Sequence, residues 1–222
     1  MIKKNILILA GPSAVGKSTV ADLLIAGGRF ALVRSFTTRE CRGDAHDDEY
    51  FYTSDEDFAA RLSRGEFVEH STIAGCRYGT PRAEILRIRE EGKLPLLILD
   101  AHGVRAFRES EYARETYAVY LYGDLNVMEE RLYARELATS PSVEALLRFT
   151  RRKEGNIGEY LAMGERVALF DCLLPCEDAV ASVAQITSSM ETGFSQSEEE
   201  KEHLARTFAA AAEEKKNYLA NR

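Results

Sequence analysis

The sequence predicts a three-layer α/β/α fold, in which helices cover both faces of a parallel sheet. Five short apolar runs have the length of strands, and two of them, residues 5–10 and 94–99, are almost entirely apolar. Strands that are covered on both faces have this composition. Segments with helical periodicity separate the runs, and this alternation is typical of parallel sheets with helical connections.

The expected elements follow one another along the chain. Strands are expected at residues 5–10, 30–35, 94–99, 117–121 and 172–174. Helices are expected where apolar residues recur every three to four positions, at residues 19–26, 81–91, 126–135, 143–163 and 177–189. These elements account for one α/β domain.

Residues 48–78 interrupt this alternation. Two short aromatic-rich strands are expected there, on either side of a helix. Ser54 and Asp57 have the Ser-x-x-Asp spacing of a capping box and mark the start of that helix. We interpret this stretch as an inserted substrate-binding subdomain.

A glycine-rich motif joins the first strand to the first helix. It fits the phosphate-binding P-loop and reads Gly11, Pro12, Ser13, Ala14, Val15, Gly16, Lys17, Ser18 and Thr19. Its glycines let successive backbone N–H groups point at phosphate oxygens, and the following helix adds its positive N-terminal dipole. Lys17 is placed to reach the terminal phosphates of a nucleotide, and the Ser18 hydroxyl is placed to ligate the Mg²⁺ that accompanies them.

Length and composition bound the class of protein. The 222 residues fit one sizeable domain with a tail, and 45% apolar residues suffice for a core. The net charge of -7 argues against a nucleic-acid or anionic-membrane partner. The first apolar run is too short for a signal peptide or membrane span, so a cytoplasmic location is expected. The four cysteines lack Cys-x-x-Cys spacing and are expected to be free thiols.

A second candidate site lies beyond the expected strand at residues 30–35. Arg39 and Arg42 are three residues apart, and two guanidinium groups there can grip a phosphate dianion. Ser35, Tyr50 and Tyr78 offer hydroxyl donors to the same phosphate. The alternative interpretation is a solvated loop with packed aromatic side chains.

Five further motifs resemble the guanylate kinase family in order and spacing. They are residues 35–42, 48–51, 67–70, 78–80 and 100–103, and with the P-loop the resemblance spans roughly residues 4–188. It implies a P-loop kinase domain over residues 1–188, with a monophosphate-binding insertion at about 35–80 and a lid at about 135–153. Residues 189–222 are then a charged helical tail.

The resemblance implies roles for the residues of the insertion. Ser35, Arg39, Arg42, Tyr50 and Tyr78 would hold the phosphate of GMP.

Three further residues would face the guanosine of the acceptor. Glu69 would accept hydrogen bonds from guanine N1–H and the 2-amino group, which adenine cannot supply. Thr80 precedes Pro81, so we expect it to cap the following helix while its proton reaches guanine O6. Asp100 would face the acceptor guanosine.

A basic cluster flanks residues 136–142 and resembles the lid of the family. It comprises Arg131, Arg135, Arg148, Arg151, Arg152 and Lys153. Arg135 and Arg148 match the lid arginines best, and such cations stabilise the charge that spreads over a transferred phosphoryl group. The alternative is a solvated basic helix face.

Two departures from the family pattern stand out. The family carries two carboxylates at the end of the third strand, whereas here the first is Ile98 and only Asp100 remains. Ala14 stands where the family has a glycine, and we expect a mild effect.

The function expected from these features is transfer of the γ-phosphate of ATP, with Mg²⁺, to GMP or dGMP. Two alternatives stay open: a P-loop kinase with another phosphorylated acceptor, or a non-enzymatic module that binds phosphopeptides through the arginines and tyrosines of the insertion. The tail places Leu204, Phe208, Ala211 and Leu219 near one helix face. That face would dock on the core or on a second subunit, so the protein is expected to be a monomer or a homodimer.

Overall fold

The computed structural model describes residues 4–41, 49–73, 75–138 and 141–220. The chain divides into two compact units. The first unit comprises residues 1–8 and 21–117, and the second comprises residues 9–20 and 118–222.

The described residues form nine strands and eight α-helices. The strands are β1 (Ile6–Ala10), β2 (Phe30–Leu32), β3 (Ser35–Thr37), β4 (Tyr50–Tyr52), β5 (Phe67–Ile73), β6 (Cys76–Pro81), β7 (Leu94–Ile98), β8 (Thr116–Tyr122) and β9 (Cys172–Pro175). The helices are α1 (Lys17–Ala26), α2 (Asp55–Ser63), α3 (Arg82–Glu90), α4 (Ala101–Glu109), α5 (Leu125–Glu136), α6 (Val143–Leu161), α7 (Ala179–Thr192) and α8 (Glu198–Ala220). Two short 3₁₀ turns, Met163–Glu165 and Val167–Leu169, lie between α6 and β9.

The main sheet has the order β2-β7-β1-β8-β9. In the first unit β2 pairs with β7 in parallel, with Phe30 opposite Leu94. In the second unit β8 pairs with β9 in parallel, with Val119 opposite Cys172. Strand β1 is buried along its whole length, as its composition predicts. The predicted α/β class with a parallel sheet is confirmed.

The inserted stretch forms a second sheet in the first unit, with the order β4-β3-β6-β5. The single strand expected at residues 30–35 is wrong, because β2 joins the main sheet and β3 joins this one. The chain changes sheets at Arg34, whose guanidinium donates to the carbonyl of Tyr50 and lies 4.1 Å from the ring centroid of Phe51. A charged residue at this point cannot continue an apolar strand of the main sheet.

Two helices of the first unit begin at side-chain caps. The Ser54 hydroxyl accepts from the Asp57 N–H at 3.2 Å and caps α2, as the capping box predicts. Helix α4 was not expected from the periodicity. It is only nine residues long, shorter than the window over which helical periodicity is recognised, and its buried face is formed by Gly103, Val104 and Phe107.

The C-terminal helix α8 packs against α6, α5 and β9 of its own unit. Its buried face is formed by Lys201, Ala205, Phe208 and Ala212. The tail helix therefore docks on the core of its own unit, which is the first of the two alternatives left open by the sequence. Ala211 is exposed, contrary to expectation, because the buried face follows positions 201, 205, 208 and 212.

None of the helices in the described ranges has the length and apolar character needed to cross a membrane.

Candidate functional site

The P-loop of the second unit leaves β1 and ends in the first turn of α1. Gly11 has φ +141°, and a Cβ there would stand 2.2 Å from the carbonyl oxygen of Leu121. Gly16 has φ +122°, and a Cβ there would stand 3.0 Å from Sγ of Cys176. Both positions require glycine for backbone conformation and for space. The glycines identified from the sequence therefore shape the loop.

Ala14 takes the left-handed conformation, with φ +63°. It is the only non-glycine residue with positive φ among the described residues. This conformation costs an L-residue about 1–2 kcal/mol relative to a right-handed one. Ala14 therefore introduces strain into the loop.

Lys17 is folded back onto the start of the loop. Its Nζ donates to the carbonyl oxygens of Gly11 at 2.6 Å and Pro12 at 2.9 Å. The ammonium group thus lies against the loop, where a phosphate can replace these carbonyl partners.

The surroundings of Lys17 shift its titration. Desolvation lowers the pKa of Lys17 to about 8. The negative charge of Glu159 opposes this shift, and the positive charges of Arg135 and Arg152 add to it. Arg135 and Arg152, two arginines of the candidate lid, therefore lie within electrostatic range of Lys17.

The P-loop is held in place by side chains from α5 and α6. Arg131 of α5 donates to the carbonyl oxygens of Ala14 at 3.3 Å and Val15 at 3.1 Å. Asn156 of α6 forms two hydrogen bonds with the backbone of Ser13. Asn156 was not identified from the sequence. The one available signal was an amide side chain inside a strongly charged helix.

Three arginines of the candidate lid converge on one carboxylate. Glu136 accepts from Arg135 at 3.2 Å and from Arg148 at 3.0 Å, and Arg152 lies 3.5 Å away. Burial opposes the ionisation of Glu136, but the hydrogen bond from Arg148 and the charges of Arg152 and Arg135 outweigh it and lower its pKa. The cluster keeps a net positive charge, as an anion site requires. Arg152, a member of the basic cluster identified from the sequence, joins the two arginines that match the lid of the family best.

The residues present are compatible with Mg²⁺ carried by a nucleotide. Ser18 lies in the first turn of α1, directly after Lys17. Across the described ranges, no group of three or more acidic, histidine or cysteine side chains is arranged to hold a metal by itself. Magnesium in nucleotide sites takes most of its ligands from phosphates and water, so a single hydroxyl fits this role.

The base-reading candidates of the first unit form a buried pair. Glu69 on β5 lies opposite Thr80 on β6, and the Thr80 hydroxyl donates to Oε1 of Glu69 at 2.5 Å. Desolvation raises the pKa of Glu69 to about 7, the hydrogen bond from Thr80 opposes this, and the charge of Asp100 adds to it. The expected cap at Thr80 is wrong: α3 starts after Pro81 without a side-chain cap, because the Thr80 hydroxyl is committed to Glu69.

Asp100 follows β7 and caps α4. Its Oδ1 accepts from the Gly103 N–H at 2.9 Å. Its charge contributes to the raised pKa of Glu69, so the two carboxylates lie within electrostatic range of each other. Ile98, the last residue of β7, is half-buried. Asp100 therefore belongs beside the base-reading pair.

The phosphate-gripping candidates lie on three neighbouring strands of the inserted sheet, β4, β3 and β6, and directly after β3. Ser35 is opposite Tyr50 in the parallel pairing of these strands. The Arg39 guanidinium lies 5.2 Å from the ring centroid of Tyr50 and donates to the hydroxyl of Tyr52 at 3.1 Å. The rings of Tyr50 and Tyr78 meet edge to face, with centroids 6.0 Å apart. Tyr52 was not identified from the sequence, because the motif recognised there ends at Phe51; its alternation with Tyr50 was the available signal.

Arg42, the second arginine predicted for this grip, lies outside the described residues. The structure brings together the other four: Ser35, Arg39, Tyr50 and Tyr78.

The sequence matches known proteins over most of its length. A family model described as guanylate kinase matches residues 3–161. The guanylate kinase of Symbiobacterium thermophilum is 31% identical over 188 residues, which cover 83% of this chain and 83% of that protein. The human guanylate kinase is 30% identical over 140 residues, 62% of this chain and 71% of its own length. That of Streptomyces kasugaensis is 43% identical over 110 residues, 49% of this chain and 54% of its own length.

The fold also matches a solved structure. The crystal structure of guanylate kinase from Anaplasma phagocytophilum superposes with a TM-score of 0.61 at 24% sequence identity. The match covers 89% of each chain, so it extends past the residues of the family model.

Proposed function

The chain belongs to the guanylate kinase family, which phosphorylates GMP at the expense of ATP, and we propose that the residues described above carry out this reaction here. The family model covers well over half of the chain.

We propose that the P-loop binds the phosphates of ATP. Gly11 and Gly16 shape the loop, and Lys17 exchanges its carbonyl partners for phosphate oxygens. The Ser18 hydroxyl would hold the Mg²⁺ that accompanies the nucleotide, and the ion would supply charge neutralisation. Val15 and Thr19 belong to the same loop, and we assign no phosphate contact to their side chains.

The observation that carries the acceptor assignment is the buried pair of Glu69 and Thr80. Glu69 is only 6% exposed, and among the described residues its desolvated carboxylate is hydrogen-bonded by Thr80, through the hydroxyl and the backbone. Guanine offers two donors, N1–H and the 2-amino group, on one edge. A buried carboxylate that gains these donors favours guanine, whereas adenine presents a lone pair at N1 and leaves the carboxylate poorly paired.

The transfer itself requires little covalent work from the protein. The acceptor is a phosphate oxygen that is already ionised, so no general base is needed. Lys17, Arg135 and Arg148, with Arg152, would offset the charge that spreads over the transferred group. Arg39 and the hydroxyls of Ser35, Tyr50 and Tyr78 would hold the acceptor phosphate. Positioning and charge compensation therefore account for the catalysis.

We also propose a cytoplasmic location. Cys76 and Cys176, two of the four cysteines, are free thiols, which is the usual state in a reducing compartment.

A coupled assay of ADP release with GMP, dGMP, AMP, UMP and CMP tests the proposal. We expect GMP to be preferred over AMP by about 10⁴-fold in kcat/KM, as in other sites that read buried polar groups. Glu69→Gln should lower the GMP rate while the weak AMP rate holds or rises.

Two outcomes would contradict the assignment. Equal rates with AMP and GMP, or a preference that survives Glu69→Gln, would favour another acceptor. Absence of turnover with every nucleotide would favour the phosphopeptide-binding alternative.

A further inference from the structure

A side chain of helix α6 satisfies both backbone groups of one P-loop residue. The Ser13 N–H donates to Oδ1 of Asn156 at 2.8 Å, and Nδ2 of Asn156 donates to the Ser13 carbonyl at 3.0 Å. Asn156 is only 4% exposed. Two hydrogen bonds from one rigid carboxamide fix the orientation of the Ser13 backbone, which a single bond would leave free to rotate.

This contact acts directly before the strained position of the loop. Ser13 precedes Ala14, whose φ of +63° is disfavoured for a residue with a side chain. A loop with alanine at this position relaxes toward other conformations unless its neighbours are held. Asn156 holds the neighbour on the N-terminal side, and Arg131 holds the carbonyl on the C-terminal side.

A second side chain on the same face of α6 repeats the arrangement. Tyr160 lies four residues after Asn156 and therefore projects from the same side of the helix. Its hydroxyl donates to the Gly123 carbonyl at 2.6 Å and accepts from the Gly123 N–H at 2.9 Å. Helix α6 is thus fixed at two points, and the same helix carries the lid arginines Arg148 and Arg152.

The alternative is that Asn156 only contributes to the stability of α6. Asparagine is a weak helix former, and in a helix interior it costs stability relative to alanine. Its side chain makes both described hydrogen bonds to the P-loop and none to its own helix. The contacts therefore favour a role in the loop over a role in the helix.

We propose that Asn156 is a positioning residue of the phosphate-donor site: it holds the P-loop in the conformation that binds nucleotide phosphates and couples that loop to the helix that carries the lid arginines. Asn156 acts through the Ser13 backbone and does not touch the nucleotide. The inference rests on the proposed function for its turnover measurement, but nucleotide affinity tests it separately.

The experiment compares two substitutions with two controls. Asn156→Ala removes both hydrogen bonds, and Asn156→Leu removes them while filling more of the space. Glu154→Ala changes an exposed residue of the same helix, and Ile157→Val shortens a buried side chain of the same helix. For each protein, the KM values for ATP and GMP, the kcat, the Kd for ADP by calorimetry and the Tm are measured.

We expect both Asn156 variants to raise the KM for ATP and the Kd for ADP about tenfold, the scale of one to two lost net hydrogen bonds. The KM for GMP should stay within about twofold, because the acceptor site is not altered. Glu154→Ala should match the parent. Ile157→Val should lower the Tm and leave the Kd for ADP unchanged.

Two results overturn the proposal. One is an Asn156→Ala protein that binds ADP like the parent, whatever its Tm. The other is a loss of ADP affinity in Ile157→Val equal to that in Asn156→Ala. In that case the lower stability of α6 would explain the loss of affinity in both variants. If the parent binds ADP but does not phosphorylate GMP, the proposed function fails, while a tenfold loss of ADP affinity in Asn156→Ala still supports the positioning role.

Discussion

The Thr80 hydroxyl is bound to the Glu69 carboxylate at 2.5 Å, inside a region where neither side chain is more than 6% exposed. Because burial raises the pKa of Glu69 to about 7, this carboxyl is only partly ionised at neutral pH when no ligand is bound. Guanine can donate two hydrogen bonds only to the ionised form. Recognition of the base is therefore linked to a proton equilibrium near physiological pH.

The first prediction concerns the pH dependence of GMP binding. The pKa of Glu69 is raised, so the carboxyl takes up a proton as the pH falls through 7 and the binding form is lost. The Kd for GMP should rise about tenfold between pH 7.5 and pH 6. Calorimetry on the parent and on Glu69→Gln measures this, since the variant retains only the titration of the GMP phosphate. Identical pH profiles would exclude Glu69 as the titrating group.

The second prediction concerns the charge at the donor phosphates. Lys17→Ala should lower turnover by at least about 100-fold, the scale of losing one oriented charge in the transition state. The fold should persist, because the change removes a desolvated charge. Steady-state kinetics and a thermal melt measure the two effects, with the exposed Lys93→Ala as the matched control. Turnover near that of the parent would disprove the P-loop assignment.

The third prediction concerns proton uptake on ATP binding. The pKa of Lys17 is lowered to about 8, and the phosphates of ATP favour its charged form. At pH 8.5 the free amine is mostly neutral, so binding should take up about 0.7 proton, against about 0.1 at pH 7. Calorimetry in buffers with different ionisation enthalpies measures this uptake. The same uptake in Lys17→Ala would assign it to another group.

The fourth prediction concerns the strained residue of the loop. Ala14→Gly should stabilise the protein by about 1 kcal/mol, because glycine adopts the left-handed conformation without steric cost. The exposed α8 substitution Ala210→Gly should have the opposite sign and a similar size, since glycine weakens a helix interior. Urea denaturation of both variants gives the comparison. Destabilisation by Ala14→Gly would show that this position is not strained.

The fifth prediction concerns the acceptor phosphate. Arg39→Lys keeps the positive charge but loses the planar pair of donors, so GMP affinity should fall by about 1–3 kcal/mol while ATP affinity changes little. The exposed α4 substitution Arg105→Lys is the control and should alter neither affinity. Titration calorimetry with each nucleotide measures both. An equal loss for ATP and GMP would point to unfolding instead.

Features that depend on neighbouring residues could be predicted from the sequence. The start of α2 follows from the Ser54 and Asp57 spacing, and the turn of the P-loop follows from Gly11 and Gly16. In the first case the interacting atoms lie three residues apart. In the second case the backbone conformation of the turn itself requires glycine. Local chemistry therefore identified the donor loop and the start of the inserted helix.

Features that depend on distant partners could not be predicted. The Thr80 hydroxyl turns to Glu69 because the antiparallel register of β5 and β6 places them opposite each other, and this overrides its capping propensity. Asn156 meets Ser13 across 143 residues of sequence. The distance between the partners along the chain does not predict either contact.

The docking of helix α8 determines what a shortened chain would be. Phe208 is stacked on Tyr160 with ring centroids 4.9 Å apart and meets Tyr122 at 4.7 Å, while Lys215 pairs with Glu129 at 2.6 Å. Truncation after residue 197 would remove α8 and expose these aromatic rings to solvent. The match to the family model, which ends at residue 161, gives no sign of this packing. The terminal helix is thus part of the packed core of its unit. A chain truncated where the family model ends would expose apolar surface, so it would be a less stable, aggregation-prone fragment and not a minimal kinase.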